Sequence, residues 1–128
     1  MAGLVKYEME FILKTSIKVL YNMLSTPSGL SEWFADDVNI RKEKFTFIWD
    51  GEEEEAELVG KRANEYVKFH WVDSDDEKSY FEFRIEKDSM TGEVALNITD
   101  FAEEDEMEEA QLLWESNIAS LKQVLGSQ

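Results

Sequence analysis

The stretch MEEAQLLWESNIASLKQVL, residues 107–125, decides the fold of this chain. Its apolar side chains recur at intervals of three or four residues, at Met107, Ala110, Trp114, Ile118, Leu121 and Leu125. This period predicts a helix with one apolar stripe, and about 20 residues at ~1.5 Å each make it about 30 Å long. Asp105 and Glu106 lie near its start, where negative charge suits the helix dipole, and Gly126 ends it. Such a stripe has to be buried against another large apolar surface.

Most of the chain upstream of this helix alternates apolar and polar residues, which predicts half-buried strands. The inward-facing series are Tyr7, Met9, Phe11 and Leu13; Phe45, Phe47 and Trp49; Ala56, Leu58 and Gly60; Val67, Phe69 and Trp71; Phe81, Phe83 and Ile85; Val94, Leu96 and Ile98. Turn residues separate them at Asp50-Gly51, Asn64 and Thr91-Gly92. Strands joined in order by short turns form an antiparallel sheet, and its apolar face is the surface available to the helix.

Between the first strand and the rest of the sheet, the sequence predicts two short helices. Thr15 and Ser16 offer an N-cap to the first, and Pro27 ends it. Ser28 is expected to cap the second, which contains Leu30, Trp33 and Phe34.

The order is therefore one strand, two short helices, about six strands and one long helix, which defines the α+β class. We expect an antiparallel sheet of six or seven strands around the C-terminal helix. No linker, internal repeat or low-complexity segment interrupts residues 1–128, so we expect a single domain.

Two motifs carry a resemblance to a known family. Residues 24–34, LSTPSGLSEWF, show a helix that ends at a Thr-Pro turn, followed by Leu30 and then Trp33. The closing helix has an early Trp114 followed by repeated leucines. The chain resembles the START-like (SRPBCC) superfamily, and within it the Aha-type group, named for an activator of a heat-shock chaperone's ATPase.

This resemblance covers essentially the whole chain and implies a helix-grip fold. A curved sheet would grip the C-terminal helix with a cavity between them, and the two short helices would close one end. The superfamily includes lipid carriers, polyketide cyclases, hormone receptors and chaperone activators, so the resemblance leaves the function open.

The composition excludes several classes of function. The chain holds 29 Asp and Glu against 13 Lys and Arg, a formal charge of −16, which disfavours nucleic acid and anionic membrane surfaces as partners. The same charge increases solubility and could steer a basic protein partner. There is no cysteine, and therefore no disulfide or sulfur-ligated metal. No signal-like leader and no long apolar run is visible, so we expect a cytoplasmic protein without membrane insertion.

The candidate catalytic and metal-ligating residues are few. His70 is the only histidine, and its phase between Phe69 and Trp71 places it on the outer face of the sheet. The alternation places Glu82 on the outer face of the sheet too, where we expect a cross-strand ion pair. The acidic runs 52–55, 73–77 and 103–109 are interpreted as solvated loops, the last also as a charge cluster at a helix start. We therefore expect no catalytic residue, metal site or cofactor.

The aromatic residues provide the remaining candidate site. The residues expected to contact an apolar ligand between sheet and helix are Trp33, Phe34, Trp49, Trp71, Phe83, Trp114 and Ile118. The same residues could instead simply fill the core. Asn117 lies one turn after Trp114 and could serve a buried indole or a ligand.

Three hypotheses of function follow. The first is a small non-enzymatic module that binds an apolar small molecule or lipid. The second is a protein-interaction module of the chaperone-activator kind that uses its acidic surface. The third is a cyclase-like enzyme. It needs polar groups inside the pocket, and the strand positions that are expected to face inward hold almost no polar residues. A cavity above about 300 Å³ between sheet and helix would favour the first hypothesis.

Overall fold

The structure is a computed structural model that describes residues 3–126. Its strands are β1 (Val5–Leu13), β2 (Asp37–Arg41), β3 (Lys44–Trp49), β4 (Glu52–Arg62), β5 (Tyr66–Trp71), β6 (Phe81–Lys87) and β7 (Val94–Ala102). Its α-helices are α1 (Ile17–Ser25), α2 (Pro27–Leu30) and α3 (Met107–Val124), and a 3-10 turn at Glu104–Glu106 leads into α3.

The seven strands form one curved antiparallel sheet in the order β1-β7-β6-β5-β4-β3-β2. Strands β2 to β7 pair with their neighbours in sequence, whereas β1 pairs with β7, with Val5 opposite Ala102 and Leu13 opposite Val94. This confirms the expected α+β helix-grip architecture.

The core lies between the inner face of the sheet and the helices. Trp114, Ile118 and Leu121 of α3 are buried, as the stripe predicted, and they pack into one apolar cluster with the inner residues of the strands. The side chains of Phe69 and Phe83 are completely shielded from solvent. Each fully buried side chain of this size contributes about 1.5–3 kcal/mol to folding through removal of apolar area from water.

The start of α2 differs from the sequence prediction. Ser16 caps α1 as expected, because its hydroxyl accepts from the Val19 N–H. The cap of α2 is Thr26 and not Ser28: the Thr26 hydroxyl accepts from the Gly29 N–H at 2.9 Å, and Pro27 occupies the first helical position. A proline there is favourable because its missing N–H would have had no partner in the helix.

The second short helix is also shorter than predicted. It ends at Leu30, and both Trp33 and Phe34 lie in the turn that follows. The turn is nevertheless fixed, because the Phe34 N–H donates to the Leu30 carbonyl at 2.9 Å. Both aromatic rings point into the core from this turn.

The first glutamate run is a strand and not a loop. Asp50 and Gly51 form a two-residue turn with φ of 51° and 84°, the left-handed geometry that joins tight hairpins. Because this turn is minimal, β4 begins at Glu52, and the run Glu52–Glu55 alternates between the two faces of the sheet.

The outer face holds the two residues that the sequence placed there. His70 is partly buried on that face, and its Nδ1 donates to the Ser79 carbonyl at 2.7 Å. Glu82 forms an ion pair with Arg84 at 3.4 Å; this is a neighbour on the same strand, where a cross-strand partner was expected. Neither side chain faces the enclosed space between sheet and helix.

The acidic loop after β5 is ordered by its own hydrogen bonds. The hydroxyls of Ser74 and Ser79 lie 2.9 Å apart, and the Ser79 hydroxyl donates to the Asp76 carbonyl at 2.8 Å. The segment 73–77 is a loop, as expected, and its short serine and aspartate side chains satisfy the backbone of its turns.

Candidate ligand pocket

An open pocket of about 510 Å³ lies between the inner face of the sheet, the turn after α2 and the helix α3. This volume is within the range of small-molecule sites. The residues that line it are Phe34, Trp49, Glu54, Trp71, Asp100, Ala110, Leu113, Trp114 and Asn117. They come from four strands and one turn on one side and from successive turns of α3 on the other.

One wall of the pocket is aromatic and tightly packed. Phe34 stacks on Trp114 with ring centroids 5.7 Å apart and planes at 15°, and Trp49 meets Phe34 edge-on at 5.3 Å. The indole N–H of Trp49 donates to the Phe34 carbonyl at 2.7 Å. This bond and the stacking fix the orientation of the three rings, so their shape is set before any ligand arrives.

Trp71 completes this wall and keeps a free donor. Its ring stacks on Phe81 at 4.9 Å, one strand away. Its indole N–H has no hydrogen-bond partner within residues 3–126. In the same range, every fully buried side-chain nitrogen does have a partner, so this nitrogen is not fully buried. The Trp71 N–H is therefore reached by solvent and is available to an acceptor.

Asp100 is a partly buried polar residue of the pocket. It follows Leu96 and Ile98 on β7 at steps of two, so its side chain points inward. Its Oδ2 accepts from the Trp114 indole N–H at 2.9 Å and from the Tyr7 hydroxyl at 3.3 Å, and its Oδ1 accepts from the Phe101 N–H at 2.8 Å.

The titration of this pair follows from burial. Removal from water disfavours the charged carboxylate and raises the pKa of Asp100, although the three donated hydrogen bonds oppose this shift. Burial likewise raises the pKa of Tyr7, and the neighbouring Asp100 charge adds to it. Tyr7 therefore remains a protonated donor throughout the physiological range.

A second carboxylate stands at the rim. Glu54 shares the inward phase of Ala56 on β4 and pairs with Phe47 across β3. It is exposed to solvent at the open side of the pocket. From the opposite side, α3 contributes Ala110 and Asn117, and also Leu113, which is 64% exposed.

The structure divides the seven residues predicted to bind a ligand. Four of them line the pocket: Phe34, Trp49, Trp71 and Trp114. The other three, Trp33, Phe83 and Ile118, belong to the filled core and do not line it. Trp33 is occupied by a hydrogen bond from its indole N–H to the Met23 carbonyl at 2.9 Å. A pocket and a filled core therefore both exist, side by side.

Two polar residues of the pocket were missed by the sequence analysis. Asp100 was detectable, because one more step of the alternation Leu96, Ile98 places it inward. Glu54 was missed because the run that contains it was interpreted as a loop. Asn117 lines the pocket as the helical spacing from Trp114 suggested.

Within the described part of the chain, no group of three or more His, Asp or Glu side chains is arranged to hold a metal ion. Over the same residues, none of the helices combines the length and apolarity needed to cross a bilayer.

Fold and pocket together define a helix-grip domain with an aromatic pocket between sheet and C-terminal helix. The chain belongs to the START-like superfamily, because the model of the START-like superfamily domain matches residues 1–127. The resemblance seen in the sequence is thereby confirmed.

Solved structures give the same result. The chain is similar to BfR322 from Bacteroides fragilis, at 37% identity and a TM-score of 0.69 over 96% of this chain and 92% of that one. It shares its fold with the Aha1 dimer from Colwellia psychrerythraea, at 20% identity and a TM-score of 0.79 over 94% and 96%. MLL2253 from Mesorhizobium loti has the same fold at 15% identity and a TM-score of 0.78 over 95% and 97%. Among curated proteins, none matches the chain.

Proposed function

We propose that this domain binds a small, largely apolar molecule or lipid in the pocket between sheet and α3, without transforming it. The observation that carries this proposal is the open pocket of about 510 Å³ whose wall is formed by Phe34, Trp49, Trp71 and Trp114. These rings are held by their own contacts, so binding would not have to order them first.

Burial of apolar area would supply the affinity. A ligand that covers about 300 Å² of apolar surface gains roughly 7 kcal/mol at ~25 cal/mol per Å². Immobilisation of the ligand opposes part of this gain, so we expect dissociation constants between about 10 μM and 1 mM.

The side chains of the lining support binding over catalysis. Asp100 is a partly buried carboxyl group in the pocket, and a cyclase-like enzyme would need such a group. However, the lining residues include no Ser, Thr, Lys or His, and both oxygens of Asp100 already accept hydrogen bonds. This arrangement suits a fixed polar contact better than proton transfer.

Native mass spectrometry of freshly purified protein, followed by titration with short-chain amphiphiles, tests this proposal. Tryptophan fluorescence reports binding, because three indoles line the pocket. Ala110→Phe should fill the pocket and abolish the response. The matched control is Ala119→Phe, the same substitution on an exposed part of α3, which should leave it intact. Equal binding by both variants would reject the pocket as the site.

A protein-interaction role is the second candidate, and the charge of −16 favours it. A similar structure carries the name Aha1 dimer, and the chain could meet a basic partner through its acidic surface. Capture of such a partner should then weaken steeply as salt is added. Capture that does not respond to salt would argue against this role.

A further inference from the structure

The polar groups of the pocket share one electrostatic sign. Two of its nine lining residues are carboxylic acids, Glu54 and Asp100, and none is Lys, Arg or His. No ion pair within residues 3–126 includes either carboxylate. The pocket thus presents two carboxyl groups without a cation to balance them, in a chain whose net charge is already −16.

The aromatic wall strengthens the same preference. The faces of Trp, Tyr and Phe rings carry negative electrostatic potential and attract cations within about 6 Å of the ring centroid, Trp most strongly. Trp49, Trp71 and Trp114 line the pocket beside Phe34. Aromatic rings combined with unbalanced carboxylates suit a cationic group attached to an apolar body.

An anionic amphiphile would meet the opposite field. Its headgroup would have to lie among two carboxylates and ring faces, with the Trp71 and Asn117 N–H groups as the donors left to receive it. A neutral amphiphile would be accepted by the aromatic wall but would leave Glu54 unpaired.

We infer that the pocket selects amphiphilic cations, molecules that carry an amine or quaternary ammonium group on an apolar body. This inference rests on the proposed function and names the class of ligand for that same site. Glu54 supplies the charge at the rim, Asp100 the charge inside, and the rings contact both the apolar body and the cation.

Three probes with the same eight-carbon tail test the inference: octyltrimethylammonium, octanol and octyl sulfate. The two charged probes are titrated below their critical micelle concentrations and octanol below its solubility limit, while tryptophan fluorescence is followed. We expect the cation to bind at least about tenfold more tightly than the anion and several-fold more tightly than the alcohol, which corresponds to a cation–aromatic and ionic preference of ~1–2 kcal/mol.

Removal of one charge separates the pocket from the general field of the protein. Glu54→Gln should weaken binding of the cation by about three- to tenfold and change binding of octanol by clearly less. Glu55→Gln removes the same charge from the neighbouring residue, which faces the other side of β4, and should have little effect. Both glutamates are exposed, so both variants are expected to fold.

Each outcome has a distinct meaning. If octanol or octyl sulfate binds as tightly as the cation, the inference is wrong and the pocket still binds apolar molecules. If Glu55→Gln weakens the cation as much as Glu54→Gln does, attraction is to the overall charge and the inference is again wrong. If none of the three probes binds, the proposed function itself fails.

Discussion

The indole N–H of Trp114 on α3 donates a hydrogen bond of 2.9 Å to Oδ2 of Asp100 on β7. The same oxygen accepts the Tyr7 hydroxyl from β1 at 3.3 Å. One carboxyl group therefore ties the closing helix to the first and the last strand along the chain, which are neighbours in the sheet. Since Asp100 also lines the pocket, the same carboxyl group belongs both to this junction and to the candidate site.

Loss of the Trp114 donor should be costly. Trp114→Phe keeps most of the apolar contact with Phe34 but removes the bond to Asp100, and bonds to a charged partner contribute about 1.5–3 kcal/mol. We expect the free energy of unfolding, measured by urea titration at neutral pH, to fall by about 2 kcal/mol. Trp33→Phe is the control, because it loses a bond to the neutral Met23 carbonyl, worth about 1 kcal/mol. An equal loss in both variants would contradict this account.

The pH dependence of stability should reveal Asp100. Because burial raises its pKa, the folded chain binds this proton more tightly than the unfolded chain does. The stabilising contribution of the protonated group is present below the unfolded pKa of about 3.9 and is lost as pH rises through the higher folded value. As pH rises through this window, the unfolding free energy of the wild type should therefore fall relative to that of Asp100→Asn. Tyr7, which contacts Asp100, and Glu54, at the rim, are the titratable neighbours at this site.

Asp88 provides a control of opposite sign. The backbone N–H groups of Thr91 and Met90 donate to its carboxylate and hold its pKa below the usual range. Its contribution is present above the unfolded pKa and is lost as pH falls through the folded one. As pH rises, the unfolding free energy of the wild type should thus increase relative to that of Asp88→Asn. If the two differences in unfolding free energy changed in the same direction with pH, the opposite pKa shifts of Asp100 and Asp88 would be excluded.

The alternation of the strands was sufficient to predict the sheet and its inner face. Phe47, Phe69 and Phe83 are buried where their phase placed them, because a residue of that size on a half-buried strand has one favourable side. The same rule places Asp100 on the inner face of the sheet. A carboxylate, however, does not belong to the apolar pattern from which inner positions are predicted. Polar inward residues are the ones that a search for apolar patterns misses.

Turns were harder to predict than strands. Asp50-Gly51 can close a two-residue turn or open a longer loop, depending on where strand pairing resumes after it. The four glutamates that follow have low strand propensity, which favours the longer loop. Pairing of the run with β3, from Glu52 opposite Trp49 to Glu55 opposite Thr46, overrides that propensity. Glu54 belongs to the pocket only because of this.

Core and pocket residues should respond differently to truncation. Phe83→Ala empties a site that solvent does not reach, so we expect a loss of about 3–5 kcal/mol in unfolding free energy. Trp71→Ala enlarges a pocket that is already open, and we expect its loss to be smaller by at least ~1 kcal/mol. Urea titration of both variants checks this. A larger loss for Trp71→Ala would place Trp71 in the core.

Gly29 should tolerate no side chain. A Cβ at this position would overlap the backbone of α1, where it would lie 2.7 Å from the Cα of Met23 and closer still to the Asn22 carbonyl oxygen. Backbone cannot move aside as a flexible side chain can, so Gly29→Ala should lower the unfolding free energy by about 1–3 kcal/mol. Thermal unfolding measures the effect, and Gly3→Ala, with nothing within 4 Å of its Cβ, is the neutral control. A stable Gly29→Ala variant would mean that α1 and α2 separate easily.

The pairing of β1 with β7 also imposes an order on folding. Val5 finds its partner only at Ala102, so the edge of β1 stays open until β7 has been synthesised. Strands β2 to β6 can pair locally as they emerge from the ribosome, whereas closure of the sheet and docking of α3 have to come last. A chain truncated before β7 would therefore expose an unpaired strand edge, the kind of surface on which nascent chains aggregate.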